Sequence, residues 1–174
     1  NKRVQGQINI PLDATGRAQA KDAGNRLKNA GHLFDIIASS PLSRALESAT
    51  IIRDTLGMSD PILVVERFIE RDFGHLDGLA VDDVVHLFRN NDYRHETYEH
   101  NAALIRRVTA GAYGLARLHP DKHVFAVAHS HVIKALLIAS DAPTTTFGDI
   151  IKNGDIVRFD IGDGTIRFLE MEKA

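Results

Sequence analysis

The sequence predicts an α/β layer fold with a mostly parallel sheet and a closing antiparallel hairpin. Three observations carry this. Short apolar runs, "FDIIAS" (34–39), "ILVV" (62–65) and "VFAVA" (124–128), alternate with stretches of helical spacing. Strands that alternate with helices pair in parallel through crossover connections. At the end the period drops to two: Val157, Phe159 and Ile161, then "GDG", then Ile166 and Phe168, which is a hairpin pattern.

The elements follow in order. Asn1 to Asp13 is polar and irregular and reads as a loop. Thr15 is expected to cap a helix whose buried stripe is Ala20, Ala23, Gly24 and Leu27, with Gly31 at its stop. After the strand at 34–39, Ser40 and Pro41 supply an N-cap and a first-turn proline. Leu42, Ala45, Leu46, Ala49 and Ile52 form the buried face of that helix, and Gly57 ends it. Residues 62–65 read as a buried strand, and 66–79, charged and glycine-bearing, as a loop. Val81, Val84, Val85 and Phe88 make a short amphipathic helix, and "RNNDYRHETYEH" (89–100) is expected to be an exposed excursion. A long helix carries Leu104, Ile105, Val108, Ala112 and Leu115, and another begins near Val132 after the strand at 124–128.

The totals narrow the function. The chain has 174 residues, the length of one domain, with no repeat or linker, and is read as a single domain over 1–174. A net charge of −2 without a basic block argues against nucleic acid or an anionic membrane as partner. Without cysteine, disulfides, thiolate chemistry and cysteine-based zinc sites are excluded. No apolar run approaches membrane-spanning length and no signal peptide is visible, so a cytoplasmic enzyme is expected. The chain starts at Asn1 without methionine, so a preceding piece is expected. No face is marked as an interface, which leaves a homodimer open.

Chemistry concentrates at strand-to-helix junctions, where ligands of parallel sheets gather. In "ASSPLSRA" (38–45), Arg44 stands in the first helical turn, an unusual place for a cation unless an anion binds there. The alternative is a surface arginine bridging to Glu47 or Glu66. In "AHSHV" (128–132), His129 is the first residue past the strand. Glu70, in "ERFIERDFGHLDG" (66–78), is a candidate general acid or base. Its alternative is a solvated charge run in which Glu66, Arg67, Arg71, Asp72 and Asp77 satisfy one another. His129 and His131 could hold a metal only with a third ligand, for which Asp149, Asp155 or His75 lack diagnostic spacing. His131 by itself reads as a structural histidine.

Together these segments resemble the histidine phosphatase superfamily, the phosphoglycerate-mutase-like enzymes. "RVQGQINIPLDATGRAQA" is similar to the family's R-x-Q-G…D-x-P-L…G-x-x-Q-A, with Asn9 where an acidic residue is usual. "SSPLSRALESA" resembles S-S-P-L-x-R-A-x-x-T-A, "ERDFGHLDG" resembles E-x-x-x-G-x-x-x-G, and "VAHSHVIKALL" resembles V-x-H-G-x-x-I-R. The motifs occur in family order over nearly the whole chain. The resemblance implies a three-layer sandwich, with helices on both faces of the central sheet. It also implies phosphoryl transfer through a phosphohistidine, without a cofactor or metal. By matching position it makes Arg44 and His129 phosphate ligands, Glu70 the acid/base, and Gln5, Gly6 and Ser130 substrate neighbours.

The family's nucleophile sits in an R-H-G segment, and no R-H-G occurs in these 174 residues. By the resemblance its place is just before Asn1. Ser130 replaces a glycine and Tyr98-Glu99-His100 replaces G-E-S, while Glu99 keeps its distance to Arg107. The function implied is hydrolysis of a small phosphorylated metabolite. Phosphoglycerate mutation and a catalytically inactive binding domain are the alternatives. Residues 75–100 are compact, which favours a phosphatase, and 79–100 are expected to cap the site and select the substrate.

Overall fold

A computed structural model describes residues 2–174. The elements are α1 (Ala14–Asn29), β1 (Ile36–Ser39), α2 (Ser43–Leu56), β2 (Leu63–Val64), α3 (Val81–Arg89), α4 (Asn101–Leu118), β3 (Val124–Val127), α5 (Ser130–Ala139), β4 (Ile156–Gly162) and β5 (Thr165–Glu172). The first three strands form a parallel sheet in the order β2-β1-β3. β4 and β5 pair antiparallel around Asp163-Gly164 as a separate two-stranded sheet. The α/β architecture expected from the alternating periods is therefore present.

Caps come from residues more distant than local patterns suggest. Asp13, not Thr15, caps α1: its carboxylate accepts from the Gly16 N–H at 2.7 Å, and Thr15 already lies within the first turn. α2 starts at Ser43 rather than at Pro41, because Asn9 Oδ1 reaches across from the N-terminal stretch and accepts from the Ser43 N–H at 2.8 Å. α5 starts at Ser130, earlier than the apolar pattern indicates, which puts His129 at its N-cap in extended backbone. β2 is a two-residue edge strand with Val64 exposed, less buried than an apolar run implies.

The N-terminal stretch is a loop, as expected, and it is pinned to the 78–79 turn. The Val4 N–H donates to Leu79 O at 2.9 Å, and the Gly78 N–H donates to Val4 O at 3.0 Å. That pairing buries Val4 with Phe73, Leu76, Val84 and Tyr98 beneath α3. Most of 89–97 is exposed, as expected, while Tyr98, only 7% exposed, anchors the segment in the core.

Two further apolar clusters hold the helices to the strands. On one side, Ala23, Leu27 and Ile52 of α1 and α2 pack with Phe34, Phe125 and Val127. The other joins Leu104, Val108 and Ala112 of α4 to Val132 and Ala135 of α5, with Phe68, Phe147 and Ala128. Successive strand residues point to opposite faces, so Val127 and Ala128 serve different clusters. Each fully buried leucine or valine contributes about 1.5–3 kcal/mol. Among the described residues β3 is paired on one side only, with β1, and Ala126 in its middle is exposed. No described helix is long and apolar enough to cross a membrane.

Candidate active site

Three separate junctions bring Arg44, Glu70 and His129 into one corner. His129 follows β3, Arg44 lies in the first turn of α2 after β1, and Glu70 stands in the irregular segment after β2. Each lies within reach of another's charge: Glu70 acts on both Arg44 and His129, and Arg44 acts on His129.

The imidazole of His129 is buried, and its Nε2 shares a 2.7 Å hydrogen bond with Ser40 Oγ. Ser40, itself fully buried, also accepts from the Leu42 N–H at 3.3 Å. Burial pushes the His129 pKa down to about 4, against the pull of Glu70, so the ring is neutral near pH 7. Ser130 is half-buried at the start of α5.

Arg44 does not bridge to Glu47 or Glu66. Its guanidinium donates to Gly6 O at 2.7 Å and to Ile8 O at 2.9 Å, while Glu47 pairs with Arg17. The arginine thus ties the N-terminal loop to the site. The Gly6 N–H donates to Asp77 Oδ1 at 2.6 Å. A Cβ at Gly6 would meet that same oxygen at 2.6 Å and Arg71 O at 2.7 Å, so only glycine permits this approach. Gln5 is exposed, and its neighbour Gln7 is the one that reaches inward, donating from Nε2 to Glu70 O at 3.0 Å.

Glu70 is 5% exposed, which excludes a solvated charge run. Its Oε1 accepts from the Arg71 N–H at 2.8 Å, and its Oε2 faces the His131 N–H at 3.4 Å and His131 Nδ1 at 3.8 Å. Burial opposes the negative charge, but the His131 ring, the His129 ring and the Arg71 N–H outweigh it and hold the carboxyl at about 2. The resting side chain is a carboxylate, not the protonated acid that leaving-group protonation needs. A phosphate dianion arriving beside it raises its proton affinity.

The segment carrying Glu70 is held from outside. Arg107 of α4 pairs with Glu99 through two 2.8 Å hydrogen bonds and donates to Arg67 O at 2.7 Å and Ile69 O at 2.9 Å. Arg71, expected among mutually satisfied surface charges, is fully buried. It donates to Tyr98 Oη and, at 2.7 Å, to Asn101 Oδ1, and its guanidinium lies 4.2 Å from the Phe147 ring centre. The sequence reading gave Ser40 only a capping role and Asp77 a place in a charge run, and it did not single out Gln7. Ser40 and Asp77 stand inside the motifs "SSPL" and "HLDG".

The histidine pair is unequal: His129 engages Ser40, and His131 lies against Glu70. The three residues considered as a third metal ligand are bonded elsewhere. Asp149 accepts from Thr146, Asp155 from Lys152, Lys173 and Ala174, and His75 contacts Thr97 and Tyr93. Among the described residues no three His, Asp or Glu side chains cluster as metal ligands would. Beside the site lies an open depression of about 420 Å³ lined by Gln7, Ile69, Asp72, Glu96, Thr97, Tyr98, Glu99 and Arg107. Residues of the 79–100 segment thus form part of its wall.

A histidine and an arginine thus stand at the ends of parallel strands beside a buried carboxylate, groups able to receive a phosphate. The chain belongs to the histidine phosphatase superfamily (branch 1), whose family model matches residues 1–173. It is 36% identical over 137 residues to an "uncharacterized phosphatase PhoE" of Bacillus subtilis, covering 78% of this chain and 67% of that one. It is 33% identical over 147 residues to a 2,3-bisphosphoglycerate-dependent phosphoglycerate mutase of a Methylobacterium species, covering 77% and 70%. Among solved structures, Bacillus stearothermophilus YhfR superposes with a TM-score of 0.83 at 25% identity over 95% of this chain and 86% of that one. A phosphoserine phosphatase of Entamoeba histolytica shares the fold, with a TM-score of 0.81 at 22% identity over 99% and 89%.

Proposed function

We propose that this chain carries the phosphate-binding and acid/base groups of a phosphatase that hydrolyses a small phosphomonoester through a phosphohistidine. The observation that carries this reading is the convergence of Arg44, Glu70 and His129 from three junctions into one electrostatically coupled corner. His129 and Arg44 receive phosphate oxygens. The family resemblance assigns the nucleophile and a further arginine to an R-H-G segment. In the first step the histidine nitrogen bonds phosphorus, the P–O bond to the leaving group breaks, and Glu70, which takes up a proton from solvent as the substrate dianion binds, gives that oxygen its proton. In the second, the Glu70 carboxylate takes a proton from water, the water oxygen bonds phosphorus, and the N–P bond breaks. Fixed cationic and hydrogen-bonding groups stabilise the charge on phosphorus, so this mechanism calls on no metal.

Residues 1–174 act in this reading as one domain in the cytoplasm, with 79–100 capping the site. The 33% identity to a phosphoglycerate mutase favours a second reading, in which another hydroxyl replaces water. The full-length protein, given 3-phosphoglycerate and p-nitrophenyl phosphate, separates the two. Free phosphate from both supports hydrolysis; 2-phosphoglycerate without free phosphate supports mutation. Neither product would leave a domain that binds phosphate without turning it over.

A further inference from the structure

We propose that His131 is the positioning residue for Glu70, its Nδ1–H and backbone N–H together holding Oε2 and so fixing which carboxyl oxygen faces the reacting bond. This rests on the phosphatase reading of the site for its purpose, but not for its geometry.

The geometry is asymmetric. His131 Nδ1 looks toward Glu70 Oε2 at 3.8 Å, and the His131 backbone N–H approaches the same oxygen at 3.4 Å. The other carboxylate oxygen is taken by the Arg71 N–H at 2.8 Å. The far side of the imidazole is dry. Its Nε2 is buried and has no hydrogen-bond partner. The ring stands edge-on to Phe73 at 5.0 Å and to Phe88 at 6.1 Å, and lies stacked over Phe147 at 5.9 Å.

That box selects the tautomer. A neutral imidazole has one N–H, and an N–H at Nε2 would be buried without an acceptor. Placed at Nδ1, it meets a carboxylate. The imidazolium is disfavoured twice over. It would bury the Nε2–H, and it would add a positive charge beside Arg71 and Lys134, the cations that bear on His131. Around Glu70 itself the charged or titratable groups are His129, His131, Arg71, Arg44 and Lys134. At 3.8 Å the Nδ1 contact is longer than a hydrogen bond, so in the resting site the backbone N–H makes the bond and, in the proposal, the ring closes on Oε2 when substrate binds.

The inference separates His131 from a histidine that merely fills space. Asparagine places its side-chain N–H near the position of Nδ1, glutamine places it near Nε2, and phenylalanine fills the box with no donor. The experiment reads the titration of the Glu70 carboxyl by carbon NMR in the full-length wild type and in His131→Asn, His131→Gln and His131→Phe, with the pH profile of phosphate release recorded in parallel. The expected result is a Glu70 midpoint raised by about one unit or more in the Phe and Gln variants and restored toward wild type in Asn. The pH limb assigned to Glu70 should move with it. If Glu70 titrates alike in all four proteins, the proposal is overturned. If the Phe variant does not fold, the comparison of Asn with Gln decides alone. If the titration shifts as expected but the wild type releases no phosphate, the positioning stands and the phosphatase reading falls.

Discussion

Arg107 grips Glu99 with two parallel hydrogen bonds of 2.8 Å and spends none of its remaining donors on solvent alone, gathering the carbonyls of Arg67 and Ile69 as well. One side chain on α4 thereby fixes the turn that presents Glu70. Arg107→Lys keeps the charge but loses the planar fork. It should lower kcat/KM for a phosphomonoester about tenfold or more while leaving the melting temperature closer to wild type than Arg107→Ala does. Glu99→Gln should destabilise the fold by about 1.5–3 kcal/mol, measured by urea unfolding.

His129→Ala and Arg44→Ala should each reduce the rate of phosphate release by about 10²–10³-fold, as loss of one charge-stabilising donor does elsewhere. His131→Ala should cost much less, because it disturbs the carboxylate and not the phosphate. Steady-state kinetics of the three variants in the full-length protein test the ranking, and an equal loss at all three positions would sink it.

Stability should fall with pH in two overlapping stages. Residue 129 titrates near 6.5 when unfolded and near 4 when folded, so between those values the unfolded chain binds more protons. Acidification through that window therefore favours unfolding. Glu70 adds to the loss between 4.5 and about 2, because its folded carboxyl is also the harder one to protonate. Melting temperature followed from pH 7 downward should decline from about 6.5. His129→Phe should flatten the first stage and spare the second.

Gly6→Ala should weaken the site without touching a reactive group. The added methyl collides with Asp77 and with the Arg71 carbonyl. The loop that Arg44 holds must then shift, at a cost of about 1–3 kcal/mol. A raised KM for phosphate esters with nearly unchanged far-ultraviolet circular dichroism is the expected outcome.

EDTA should leave phosphate release unchanged, since the charge on phosphorus is met by arginine and histidine. Loss of activity on chelation, recovered by adding back a divalent ion, would contradict the mechanism.

Much of this was legible in the residues, and the rest was hidden for identifiable reasons. Helix periods marked α1, α2 and α4 because each buries a stripe of small or aliphatic residues. The strand-end placement of His129 and Arg44 followed from apolar runs meeting polar junctions. Asn9 capping α2 could not be read, because its partner Ser43 is distant in sequence and close only in space. Arg71 and Tyr98 misled for the same reason. Both look like surface residues, yet they bury each other's polar groups across the gap between two loops. His131, read as structural, is buried among aromatic rings, and the contact with Glu70 was hidden because that residue comes from another junction.

The open flank of β3 carries a consequence of its own. Ala126 stands uncovered in a strand whose second edge, among the described residues, has no mate. Such an edge is adhesive, because its amides and carbonyls recruit any extended chain that can lie alongside.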